Sequence, residues 1–139
     1  MKVLQKVFRL PPFPRGFHLI DDIVYSYFEE LGKIKTGMLH LFIKHTSASL
    51  ALGENADSSV RIDLENYFTD SIDEKPYFTH TLEGSDDMPA HIKSIIIGAS
   101  LTIPVTEGKC NLGVWQGIYL CEHRNYASGR EIVMTFTGE

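Results

Sequence analysis

The feature that most limits the fold of this chain is a change of period at Gly37. Upstream, Ile20, Ile23, Val24, Tyr27, Phe28 and Leu31 recur at helical spacing, and Gly32 stands where a left-handed residue would close the helix. From Gly37 the repeat becomes two: Leu39, Leu41, Ile43 and His45 share one face, and His40, Phe42 and Lys44 share the other. A strand with one apolar face has to bury it against another layer. Further strands are predicted over Lys2 to Leu10, stopped by Pro11, Pro12 and Pro14, and over Ser100 to Val105, Leu112 to Arg124 and Arg130 to Thr137. The turns fall at Thr106 to Lys109 and Asn125 to Gly129.

Two more helices fit between these strands. Asn55 or Asp57 can cap one whose apolar stripe is Val60, Leu64, Tyr67 and Phe68. The other follows the polar loop Glu83 to Asp87, has Pro89 in its first turn, runs to about Ile97 and is closed by Gly98. The predicted class is α+β, with a mostly antiparallel, β-sandwich-like core and three short helices. At 139 residues, with 43% apolar composition and no linker, repeat or low-complexity tract, residues 1–139 read as a single domain.

A net charge of −5 with 13 scattered Lys and Arg supplies no basic field for nucleic acid. No stretch is long and apolar enough to span a bilayer, and Met1 to Lys6 lacks the pattern of a secretory signal, so a cytoplasmic address without membrane contact is expected. Cys110 and Cys121 form no CxxC pair and read as buried thiols. The chain has no GxxxxGK[ST], GxGxxG or GxSxG motif. Ser47 and Ser49 therefore read as hydroxyls bonded to backbone, and Trp115 as core packing.

The residues that can carry chemistry are three histidines and the acids near them. His45 ends an apolar strand face, where partial desolvation keeps an imidazole neutral and available as a ligand or base; a core-edge histidine bonded to backbone fits the same position. His91, in the first turn of the third helix, is expected to be neutral because the helix N-terminus opposes its protonation. Asp86 and Asp87 just before it can cap that helix, orient an imidazole or bind a cation. His80 closes the extended stretch Tyr77 to His80. Such widely separated histidines can form one metal site only if folding assembles it. Glu122 lies on an inward face and requires a partner; Arg130 can supply it as a hairpin ion pair, or both can face a pocket.

Several long segments, taken in order, resemble the YjbQ-like family, also described as secondary thiamine-phosphate synthase enzymes. They are His45 to Leu50 (HTSASL), Glu54 to Asp57 (ENAD), Gly84 to Lys93 (GSDDMPAHIK), Leu101 to Val105 (LTIPV) and Leu112 to Arg124 (LGVWQGIYLCEHR). Leu52-Gly53-Glu54 and Val114 depart from the family's usual Ile-Asn-Glu and Thr. The resemblance implies a sandwich-like subunit assembled as a homotrimer, with its histidines and acids near a subunit boundary. It implies a metal-dependent reaction on a phosphorylated metabolite, joining an aminopyrimidine diphosphate to a thiazole phosphate; the alternative is a trimeric metabolite-binding module without turnover. By motif, His45, His80 and His91 would hold zinc, with magnesium an alternative for a diphosphate substrate. Asp87, Glu122 and His45 would serve catalysis, and Asn55, Asp57, Gln116 and Arg130 would contact substrate.

Overall fold

The computed structural model describes residues 1–139. Eight strands and three helices follow in order: β1 Lys2–Arg9, β2 Gly16–Leu19, α1 Asp21–Glu29, β3 Gly37–Ile43, β4 Ala48–Glu54, α2 Ser58–Ile72, α3 Asp87–Ile97, β5 Ser100–Thr106, β6 Lys109–Cys110, β7 Gln116–Glu122 and β8 Glu131–Gly138. All strand pairs are antiparallel. One sheet has the order β1-β8-β3-β5-β6 and the other β2-β7-β4. The expected α+β sandwich is therefore present.

The alternation beginning at Gly37 sets the packing. Leu39, Leu41 and Ile43 are buried beside Ile132, Met134 and Phe136 of β8 and Ile103 and Val105 of β5. They meet Leu50, Ile118 and Leu120 of the smaller sheet in one continuous core, which α1 joins through Val24 and Phe28. The smaller sheet is covered on its other side as well. Phe17, Tyr119 and Cys121 form a second cluster there, against Leu64 and Phe68 of α2 and Ile97 of α3. The order is thus large sheet, small sheet, helices. Burial on both faces explains why β7 is buried at six consecutive positions, Gly117 to Glu122, rather than at alternate ones.

Several local expectations change. The segment Leu112 to Arg124 is not one strand: β7 starts only at Gln116, and Trp115 is 65% exposed instead of packing in the core. Strands β2 and β4 carry no clean alternation in sequence because both of their faces are covered. Asp57 caps α2, its carboxylate accepting from Ser59 N–H at 2.9 Å, whereas Asn55 does not cap. Tyr67 of the expected α2 stripe is 67% exposed; Leu64 and Phe68 alone of that stripe reach the second cluster. Cys121 is buried as expected, and Cys110 is half-buried. Gly53 has a clear reason: a Cβ there would lie 2.5 Å from the ring of Tyr119.

Candidate metal centre

Helix α3 begins at Asp87, which puts Pro89 in its first turn as expected and His91 one turn beyond Asp87. Residues four apart share a helix face, and Asp87 and His91 therefore point the same way. The loop before α3 brings His80 onto this face. Asp87 Oδ2 lies 2.7 Å from His80 Nε2 and 3.2 Å from His91 Nε2, and the three ligand atoms fall within 4.8 Å of one another. Asp87 is buried, His91 is partly open and His80 is half-exposed, so the trio opens on one side to solvent.

Hydrogen-bond direction makes this arrangement informative. His91 Nδ1 lies 2.8 Å from the Thr46 carbonyl, which can only accept, so that nitrogen carries a proton. With one proton on Nδ1, a neutral His91 directs the Nε2 lone pair at a carboxylate oxygen, and two acceptors face each other. A second ring proton or a cation between them removes the conflict. This replaces the expected helix N-terminus effect: His91 is beyond the first turn, and the Thr46 carbonyl from the β3–β4 connection orients its ring.

Arg124 fixes the other side of Asp87. Its Nη1 donates to Asp87 Oδ1 at 2.6 Å, its Nε to Asp86 Oδ2 at 2.8 Å and its Nη2 to the Glu83 carbonyl at 2.8 Å. Burial works to raise the Asp87 carboxyl, but the His80 hydrogen bond and the charges of His91 and Arg124 outweigh it and hold it below the ordinary carboxylate range. Asp86 makes no capping bond; it accepts from Arg124 and from Asn125 N–H. Sequence reasoning assigned Arg124 no role. The signal was there in two adjacent acids, only one of which a cap could explain.

His45 is not one of the three convergent groups. Its Nε2 accepts from Glu131 N–H at 2.8 Å, and it lines a groove of about 610 Å³ with His91 on the same wall system. Burial, with the charges of Arg130 and Arg9, lowers its pKa and keeps the ring neutral, as its strand-end position suggests. Of the expected trio His45, His80 and His91, folding brings His80 and His91 together with Asp87 and leaves His45 outside that cluster, its Nε2 bonded to a backbone N–H.

Glu122 and Arg130 form an ion pair, but not across a hairpin, since β7 and β8 belong to different sheets. Arg130 Nε and Nη2 donate to the two carboxylate oxygens at 2.7 and 2.6 Å, and Nη2 also donates to Ser47 Oγ at 3.0 Å. Both side chains are buried. The remaining residues expected near substrate lie elsewhere. Asn55 donates to the carbonyls of Val114 and Gln116, and Gln116 Oε1 accepts from Gly113 N–H. On the β4–β7 ladder Glu54 pairs with Gln116 and Ala48 with Glu122. Six residues of strand, about 20 Å, therefore separate Asn55 and Gln116 from the Glu122 end. A further buried histidine went without a role in the sequence reading: His123 Nε2 is 2.7 Å from Ser49 Oγ, and burial lowers its pKa to about 3, with Lys93 and Arg130 acting in the same direction.

Two antiparallel sheets backed by helices, with a two-histidine, one-carboxylate cluster where α3 meets the sandwich, define the structural class. The chain belongs to the family described as UPF0047 protein YjbQ-like, which it matches over residues 6–139. It is 47% identical to the UPF0047 protein YjbQ of Salmonella typhimurium over 135 residues, covering 97% of this chain and 98% of that protein. A UPF0047 protein of Synechocystis is 39% identical, with 90% of this chain and 85% of that protein covered. In structure the chain is similar to a YbjQ-like protein of unknown function from Sulfolobus solfataricus, with TM-score 0.87, 27% identity and 99% of each chain covered. A yjbq/upf0047 family protein from Clostridium acetobutylicum aligns with TM-score 0.84 and 29% identity over 95% of this chain and 99% of that one. These relatives are named only by the UPF0047 family designation, with no thiamine-phosphate synthase function, and on that finding the reaction expected from the resemblance is withdrawn. The metabolite-binding alternative gains nothing from them either. No helix is long and apolar enough to cross a membrane.

Proposed function

We propose that this protein binds one divalent transition-metal ion through His80 Nε2, Asp87 Oδ2 and His91 Nε2. The observation that carries this reading is the convergence of these three ligand atoms within 4.8 Å of one another, with His91 oriented by the Thr46 carbonyl and Asp87 by Arg124. A cation bound there satisfies the carboxylate and both imidazole nitrogens together. Tetrahedral ligands about 2.0–2.1 Å from zinc stand about 3.3 Å apart, so the 3.2 Å His91–Asp87 separation already suits the ion and the His80 contact has to lengthen by a little over half an ångström. Two imidazole nitrogens favour zinc or a related ion over magnesium, which prefers an all-oxygen shell. Three protein ligands leave a position for water or another small ligand on the solvent side.

The test is metal content and affinity of protein purified without chelator. About one zinc-class ion per chain is expected in the wild type, with affinity at least 100-fold lower in Asp87→Ala and His91→Ala. Unchanged metal content in both variants would overturn the assignment. The outer face of the larger sheet supports the expected self-association into a homotrimer. Its central rows, Val3-Thr137-Met38-Pro104, Gln5-Thr135-His40-Thr102 and Val7-Val133-Phe42-Ser100, carry no Lys, Arg, Asp or Glu. Val3, Val7, Met38 and Phe42 are all more than 40% exposed. Sedimentation velocity should show a trimer that Phe42→Glu shifts to monomer; a wild-type monomer at high micromolar concentration would rule it out.

A further inference from the structure

The groove of about 610 Å³ beside the trio holds one unused polar group of fixed direction. Ser94 Oγ donates to the Ala48 carbonyl, and the Thr46 carbonyl receives His91 Nδ1–H. His45 differs. Because its Nε2 accepts from Glu131 N–H, its ring proton resides on Nδ1. That N–H has no protein partner and is reachable by solvent, and His45 lines the groove, so the ring offers an unused donor there. His91 forms one side of the same groove, Gly98 leaves a bare stretch of backbone, and Ile95 and Ala99 supply apolar surface, with Ile95 84% exposed. The remaining property is charge. A divalent ion held by one carboxylate and two neutral imidazoles keeps a surplus positive charge, and Arg124 shares that single carboxylate.

From these features we infer that the groove binds a small carboxylate bearing a short aliphatic tail. One oxygen occupies the open position of the metal ion, the carboxylate accepts from His45 Nδ1–H, and the tail lies on Ile95 and Ala99. This assigns His45 a ligand-binding role as a donor, in place of metal ligation or proton abstraction, and it rests on the metal reading proposed above. A neutral aliphatic ligand lacks the charge and the acceptor that the site calls for. A cationic ligand meets both the ion and a donor that cannot accept.

The experiment uses the full chain loaded with cobalt(II), whose visible spectrum reports a change of ligand, titrated with acetate and with butyrate. Saturable spectral changes are expected with both, and butyrate should bind roughly threefold to tenfold more tightly through its two extra methylenes. His45→Gln retains an acceptor for Glu131 N–H but removes the Nδ1 donor. It should weaken both carboxylates about tenfold or more while leaving cobalt affinity unchanged. Ile95→Ser, at an exposed position, should reduce the preference for butyrate over acetate and leaves the fold and the ion untouched. If cobalt does not bind, the metal reading fails and this inference fails with it. If cobalt binds but its spectrum does not respond to either acid, or His45→Gln and Ile95→Ser both behave as wild type, the carboxylate site alone is overturned.

Discussion

Asp87 and Glu122 are both buried carboxylates that hydrogen-bond an arginine, and they serve opposite purposes. Glu122 has its two oxygens matched by Arg130, with Arg124 N–H adding a further bond at 3.1 Å. Its donors suffice, and nothing about it calls for a ligand. Asp87 offers one oxygen to Arg124 and presents the other to two imidazole nitrogens, one of which has its ring proton committed elsewhere. What separates a structural carboxylate from a candidate ligand here is the count of available protons around it, since burial is nearly the same. That count depends on partners from distant parts of the chain.

Breaking the closed pair gives the largest expected effect. Glu122→Ala leaves Arg130 charged and buried, and unfolding in denaturant should show a loss of about 3–5 kcal/mol. Metal affinity of the folded fraction should stay within a few-fold of wild type. A loss of metal with stability intact would reverse the roles assigned to the two acids. Arg124→Lys is the intermediate test. Lysine keeps the charge but cannot fork between Asp86 and Asp87, so metal affinity should fall about 10–100-fold through misorientation of Asp87. An affinity equal to wild type would show that Arg124 does not position the ligand.

The smallest effect lies in the acid limb of the metal-free protein. A carboxyl depressed on folding contributes stability that is complete above its unfolded pKa, near 3.9, and is lost as pH falls through its lower folded value. Asp87→Asn should therefore flatten the stability profile below about pH 4 relative to wild type. His123 acts over another window: with a folded value near 3 against about 6.5 unfolded, it lowers stability by about 1.4 kcal/mol for each unit of acidification between those limits, and does so equally in both proteins. Its contribution cancels in the difference. Identical profiles for wild type and Asp87→Asn would mean that Asp87 gains nothing from its neighbours.

Where the chain shows one clean periodicity, its structure was readable in advance. The α1 stripe, the alternation of β3 and the Gly98 stop of α3 each arise from local backbone geometry and one-sided burial, so the residues themselves announce the element. Strand β7 was only partly legible: burial on both faces removes alternation, and the exposed Leu112 to Trp115 segment has the same apolar character as the strand beyond it. Asp57 was readable as a cap because capping is a contact two residues away. The same localness misled the reading of Asp86, whose partner Arg124 is 38 residues distant.

For the site, the sequence by itself determined the candidate set: His80, Asp87 and His91 were all singled out from residue type, position and family likeness. It also determined that Asp87 and His91 share a helix face once the helix starts at Asp87. Tertiary structure alone decided which groups converge. The β3–β4 connection places the Thr46 carbonyl behind His91 and Glu131 N–H on His45, and thereby settles which ring nitrogen of each histidine remains available. The physical reason is that a hydrogen bond has a direction, and the partner that fixes it comes from a part of the chain that only folding brings near.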